Sequence, residues 1–193
     1  GTAFGPVVTK KKSGSTWRSK KSEGGGCLHD YASHVVDLMT YVVGAPEEVC
    51  YAHTSTVFSS SVEDVVRAAF RYGGGFDGRL EANWSDSSTR KMSTTLSIWG
   101  SRGKLVVDRQ ECRVFLTEPF PECGLAAGHT IRYITELQDP VDFYLRGEEY
   151  SAQIDAFVRA IQSGNLENEN SFASACETDR LIHKISMASQ GGR

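Results

Sequence analysis

Near Gly44 the hydrophobic period of this chain drops from that of a helix to that of a strand, and this change limits the folds open to it. Over residues 27–43, Leu28, Tyr31, Ala32, Val35, Met39 and Val42 recur at three- and four-residue steps. That spacing is the stripe of a helix buried along one side. Gly44 and Pro46 stop it. From Val49 to Thr117 the period is two. Phe76, Gly78, Leu80, Ala82 and Trp84 alternate with Asp77, Arg79, Glu81 and Asn83, and Val66, Ala68, Phe70 and Tyr72 alternate with Arg67 and Arg71.

Further strands are expected over Val7–Thr9, Thr94–Trp99, Lys104–Asp108 and Cys112–Thr117, several joined by short turns such as Ser101-Arg102-Gly103. Short turns make neighbours antiparallel, and one apolar face per strand calls for helices on one side only. The helical period returns over Glu148–Ser163, with Tyr150, Ile154, Phe157, Val158 and Ile161 on one face. It returns again from Phe172 to about Ala188, with Ala175, Leu181, Ile182 and Ile185 inward and Asn170 or Ser171 as cap. The expectation is one α+β domain over residues 1–193: a mostly antiparallel, open-faced sheet of about six strands with helices on one face.

The 21 basic and 24 acidic residues leave a net charge of −3, which argues against nucleic acid as a partner. Lys10, Lys11, Lys12, Arg18, Lys20 and Lys21 form a local exception. They read either as a solvated edge or as a basic rim for a phosphorylated or nucleotide-linked substrate. No apolar run reaches the roughly eighteen residues of a membrane span, and Gly1–Pro6 leads into lysines rather than a signal-like stretch. The five cysteines include no C-x-x-C pair, so a reduced, cytoplasmic protein is expected.

Gly73-Gly74-Gly75-Phe76-Asp77-Gly78 fits G-x-G-x-x-G, but it joins two strands rather than opening a helix, so it reads as a hairpin loop and no cofactor site. The constellation with chemistry is Asp30 and His34, one helical turn apart, continued by Asp37 and Tyr41. Oxidising a secondary alcohol removes a hydride from carbon and a proton from oxygen. Histidine, with an unperturbed pKa near about 6.5, is the natural base for that proton. Asp30 can orient the imidazole or accept a bond from a substrate hydroxyl. Gly24, Gly25 and Gly26 would let a ligand approach the helix start. The bland alternative for Asp30 and His34 is an exposed intrahelical ion pair. A metal set of Cys27, His29, Asp30 and His34 is disfavoured because His29 points elsewhere on the helix, and no metal is expected.

Residues 24–37, G-G-G-C-L-H-D-Y-A-S-H-V-V-D, resemble the G-G-G-x-L-x-D-x-x-x-H-x-x-D signature of the glucose–fructose oxidoreductase, inositol dehydrogenase and MocA-like family. The likeness continues in order through Gly44–Val49, Ile98–Leu105, Tyr150–Phe157 and Phe172–Ile185. It implies a C-terminal domain whose NAD- or NADP-binding Rossmann domain lies outside these residues, as does the family's E-K-P lysine. It also implies Asp30 and His34 as catalytic residues, Trp17 as a substrate contact, a sugar or cyclitol substrate, and homo-oligomers formed through the open sheet face, which the residues alone read equally as a wet surface. Lys21 by its charge, and Asp37 and Tyr41 by their helical spacing, are further expected substrate contacts. Two other outcomes stay open: a non-catalytic binding or oligomerisation module, and NAD-dependent glycoside cleavage.

Overall fold

The computed structural model describes residues 16–86, 88, 93–137, 141, 143, 148–165 and 170–191. The expected first strand at Val7–Thr9 and the lysines at 10–12 lie outside them. The chain divides into two compact units, Gly1–Leu96 with Ala175–Arg193, and Ser97–Ser174.

In the first unit, two short 3₁₀ turns (Trp17–Ser19 and Lys21–Glu23) lead into a π turn, Leu28–Ala32, which continues as helix α1, Ser33–Val43. Strands β1 (Glu48–Ser55), β2 (Val65–Arg71) and β3 (Asp77–Asn83) form an antiparallel sheet in that order. The period-two pattern acts as expected. Val66, Ala68, Phe70, Leu80, Ala82 and Trp84 are buried with Leu28, Tyr31, Ala32, Val36 and Met39 in one cluster. Each Val, Leu, Met or Phe among them contributes about 1.5–3 kcal/mol on burial. The C-terminal helix supplies Leu181, Ile182 and Ile185 to the same cluster, whereas Ala175 is exposed. Helices therefore cover one face of this sheet. On the other, Arg67 pairs with Glu81 at 3.0 Å and Arg71 with Glu48. The register opposite β1 shifts between Val49 and Tyr51, a bulge at Cys50.

The glycine-rich tract between β2 and β3 is a hairpin loop. Tyr72 N–H donates to Phe76 O at 3.0 Å, Gly75 takes a φ of +75°, and the Tyr72 and Phe76 rings stack 4.5 Å apart. No helix follows it, so it offers no dinucleotide cradle.

The second unit holds the antiparallel order β4 (Leu96–Gly100), β5 (Gly103–Val107), β6 (Glu111–Leu116) and β7 (Gly128–Tyr133). β7 has no counterpart in the sequence reading. Its H-T-I-R-Y alternation is short and mostly exposed. A single helical turn, α2 (Ile134–Leu137), follows it. Helix α3 spans Glu148–Ser163 as expected, but its apolar face is exposed, Phe157 to 66%. Helix α4 (Phe172–Gly191) begins at the Ser171 cap, whose hydroxyl accepts the Ser174 N–H at 3.2 Å. The architecture is α+β, and the described residues hold seven antiparallel strands, hydrogen-bonded as three and four.

Candidate functional site

The segment before the π turn is locked by its glycines. Gly25 N–H donates to Lys20 O at 3.0 Å and Gly26 N–H to Arg18 O at 3.1 Å. A Cβ at Gly25 would lie 2.5 Å from the carbonyl oxygens of both Trp17 and Arg18. One at Gly26, where φ is +114°, would lie 2.1 Å from a Glu63 carboxylate oxygen. The room at Gly25 and Gly26 is filled by the protein itself, whereas a Cβ at Gly24, where φ is +80°, would meet nothing within 4 Å. Glu63 then caps the helix start. Its carbonyl accepts Cys27 N–H and its Oε1 accepts Leu28 N–H, both at 3.0 Å, which satisfies two of the orphan donors there.

This docking brings Arg18, with Trp17 against its guanidinium, to Asp30. Arg18 Nε donates to Asp30 Oδ2 at 2.8 Å, and the guanidinium sits 4.7 Å from the Trp17 ring centroid. The Asp30 side chain is 19% exposed. Its Oδ1 makes no hydrogen bond with the described residues, so one acceptor stays available. Asp30 lies in the π turn, a feature found often at functional sites. His34 follows in the first turn of α1, exposed and without a hydrogen bond to the described residues.

The remaining expected contacts scatter. Lys21 is exposed in the second 3₁₀ turn, beside the Lys20–Glu23 pair at 2.7 Å. Asp37 turns to α4, where Thr178 Oγ1 donates to its Oδ1 at 2.9 Å, leaving only Oδ2 for a ligand. Tyr41 is exposed further along α1. The structure thus gathers Trp17, Arg18 and Asp30, with His34 one turn on, and directs Asp37 elsewhere. Cys27 is fully buried, and desolvation pushes its thiol up to about 12, so it stays protonated. His29 is exposed. Among the described residues no group of three His, Cys, Asp or Glu could hold a metal ion.

Two groups escaped the sequence reading. Arg18 was visible only as one basic residue among several, because its partner lies twelve positions away across a glycine turn. Asp64, next to the capping Glu63, is fully buried and accepts five hydrogen bonds.

Comparison with known proteins gives a family and a fold. The profile described as the GFO/IDH/MocA C-terminal domain matches residues 5–106. No curated protein matches the chain in sequence. Among solved structures, a levoglucosan dehydrogenase in complex with NADH and levoglucosan superposes with a TM-score of 0.78 at 24% identity, over 98% of this chain and 55% of that one. An NAD-binding oxidoreductase from Klebsiella pneumoniae gives 0.74 at 18% identity, over 100% and 56%. The WlbA dehydrogenase from Bordetella pertussis, in complex with NADH and UDP-GlcNAcA, gives 0.67 at 21% identity, over 100% and 51%. The chain spans about half the length of these structures.

Proposed function

The chain belongs to the GFO/IDH/MocA family through that family's C-terminal domain, and from this we propose that it is the substrate-binding part of an NAD(P)-dependent oxidoreductase. The proposed substrate is a secondary alcohol of a sugar, nucleotide sugar or cyclitol. The structural likeness to proteins solved with NADH beside levoglucosan or UDP-GlcNAcA supports this class. The observation that carries the reading is the pairing of a fixed, part-buried Asp30 with an exposed His34 one turn later.

The described residues fit the substrate side of this chemistry and not the cofactor side, since no strand–glycine turn–helix cradle occurs among them. Nicotinamide, bound by the rest of the complete protein, would accept the hydride. This chain's own residues would handle the proton and the hydroxyls. His34 takes the proton from the reacting hydroxyl, and Asp30 Oδ1 orients the imidazole or accepts a bond from a neighbouring hydroxyl. Trp17, Lys21, Tyr41 and the remaining oxygen of Asp37 are proposed as flanking contacts.

In the complete protein, a panel of aldoses, uronates, nucleotide sugars and cyclitols with NAD+ or NADP+ should yield reduced cofactor with at least one member. Reduction with none of them, or reduction indifferent to loss of both Asp30 and His34, would sink the reading. The isolated chain should show no heat of NAD or NADP binding in calorimetry. Micromolar binding would place a nucleotide site in this half.

We further propose that the exposed face of β1–β3, with its Arg67–Glu81 and Arg71–Glu48 pairs, joins subunits into a homo-oligomer. Sedimentation should then give a dimer or larger species that Arg67→Glu shifts toward monomer. A wild-type monomer at tens of micromolar would refute it. All five cysteines are free, consistent with a reducing, cytoplasmic setting, and no described helix is long and apolar enough to cross a membrane.

A further inference from the structure

The geometry points to Arg18 as the positioning residue that sets Asp30 for substrate, an inference that rests on the reading just given. Three observations converge on it. Arg18 Nε meets Asp30 Oδ2 at 2.8 Å, and this bond uses one carboxylate oxygen while leaving Oδ1 open. The guanidinium carbon lies over the Trp17 ring, 4.7 Å from its centroid. The Arg18 carbonyl accepts Gly26 N–H at 3.1 Å, so the arginine's backbone is pinned to the turn that starts the helix bearing Asp30.

The glycines gain a reason from this. Any side chain at Gly25 would push into the Trp17 and Arg18 carbonyls, and any at Gly26 into Glu63. The first intrusion would shift the backbone that carries the Arg18 side chain; the second would displace the Glu63 carboxylate that caps the helix start. The tract that precedes the aspartate is therefore what permits an arginine twelve residues upstream to reach it.

The pair contributes little to folding. The Arg18 side chain is 44% exposed, and an exposed ion pair adds little to stability because solvent screens it. Its effect is geometric. A carboxylate fixed through one oxygen presents the other in a single direction, where it can accept a bond from a hydroxyl or from the imidazole. A lysine would keep the charge but lose the planar Nε contact and the stacking on Trp17.

The test has two arms, both on the complete protein with selectively ¹⁵N-labelled arginine. In the first, the Arg18 Nε–H resonance should be protected from solvent exchange at neutral pH and lose that protection in Asp30→Asn. An unprotected wild-type signal overturns the proposal whatever the enzyme does. In the second arm, on a sugar or cyclitol that the protein oxidises, Arg18→Ala should lower kcat by roughly 10–100-fold. The melting temperature should not change. Arg18→Lys should recover part of the loss, and so should added guanidinium ion. Arg18→Ala combined with Asp30→Asn should lose no more than Asp30→Asn alone. Additive losses, or no rescue by guanidinium, overturn the proposal. If Asp30→Asn and His34→Ala both stay fully active while the resonance is protected, the ion pair exists but the catalytic reading has failed. The positioning role then falls with it.

Discussion

In the complete protein, His34→Ala is expected to lower kcat by about 10²–10⁴-fold, the usual contribution of a positioned general base. The size of the effect separates chemistry from folding. His34 is exposed and makes no hydrogen bond with the described residues, so its removal takes away no packing and no buried partner. Surface changes of that kind normally fall within about ±0.5 kcal/mol. The melting temperature should therefore stay where it is while turnover collapses. A loss below tenfold would assign the proton transfer elsewhere.

Where the fold was legible in the sequence, the reason was periodicity. The stripe from Leu28 to Met39, the alternation from Val66 to Trp84 and the helix of Leu181, Ile182 and Ile185 bury most of the residues their spacing selects, while Val42 at the helix end and Phe76 at the hairpin are exposed. Edges and ends carried less signal. β7 was missed because a short strand with most of its side chains exposed has no apolar face to reveal it. The α3 stripe marks an amphipathic helix correctly without saying what, if anything, covers it.

The candidate site was legible to the same limited depth. Asp30 and His34 stand out because four-residue spacing and residue type coincide. The π turn that carries Asp30, the Arg18 contact and the filling of the glycine space by Glu63 depend on tertiary approach, which no local pattern encodes. Asp37 shows the converse. Helical spacing placed it in line with Asp30, yet the structure gives one of its oxygens to Thr178 on a helix 141 residues away. Spacing along one helix cannot report which neighbouring element a side chain meets.

The largest stability effect is expected at Asp64, where the sequence showed only an acidic residue at the start of a strand. Its Oδ2 accepts the backbone N–H groups of Val57, Phe58 and Ser59 at 2.8, 2.8 and 2.9 Å. Its Oδ1 accepts Trp84 Nε1–H at 3.2 Å and the Ser85 hydroxyl at 2.8 Å. One fully buried carboxylate thus ties the β1–β2 loop to the end of β3. Burial alone would push its pKa up. The N–H donors of Ser59, Phe58 and Val57, with the Ser85 hydroxyl, outweigh that and hold it below the ordinary 3.8. Alanine would strand four N–H and O–H donors besides the Trp84 indole, and a buried donor left unmet costs about 1–3 kcal/mol. With partial rescue by water, Asp64→Ala should lose about 3–5 kcal/mol, a large share of the roughly 5–15 kcal/mol that holds a typical domain. Asparagine should recover little, because its amide would point N–H groups at N–H groups.

The sign of the pH dependence follows from the depressed folded-state value. The stabilisation from the ionised carboxylate is complete above the unfolded-state pKa of about 3.9. It is lost as pH falls from there through the lower folded-state pKa. The gap in unfolding free energy between wild type and Asp64→Ala, measured by urea titration, should be constant from pH 7 to about 5 and narrow below about 4. A gap under 1 kcal/mol at pH 7, or one that does not narrow in acid, would mean that the loop holds its shape without the charge. Because Glu63 caps the helix of Asp30 from the adjacent position, loosening this loop should also weaken the Arg18–Asp30 contact. Residual folded Asp64→Ala protein should then show a kcat defect beyond its loss of folded fraction.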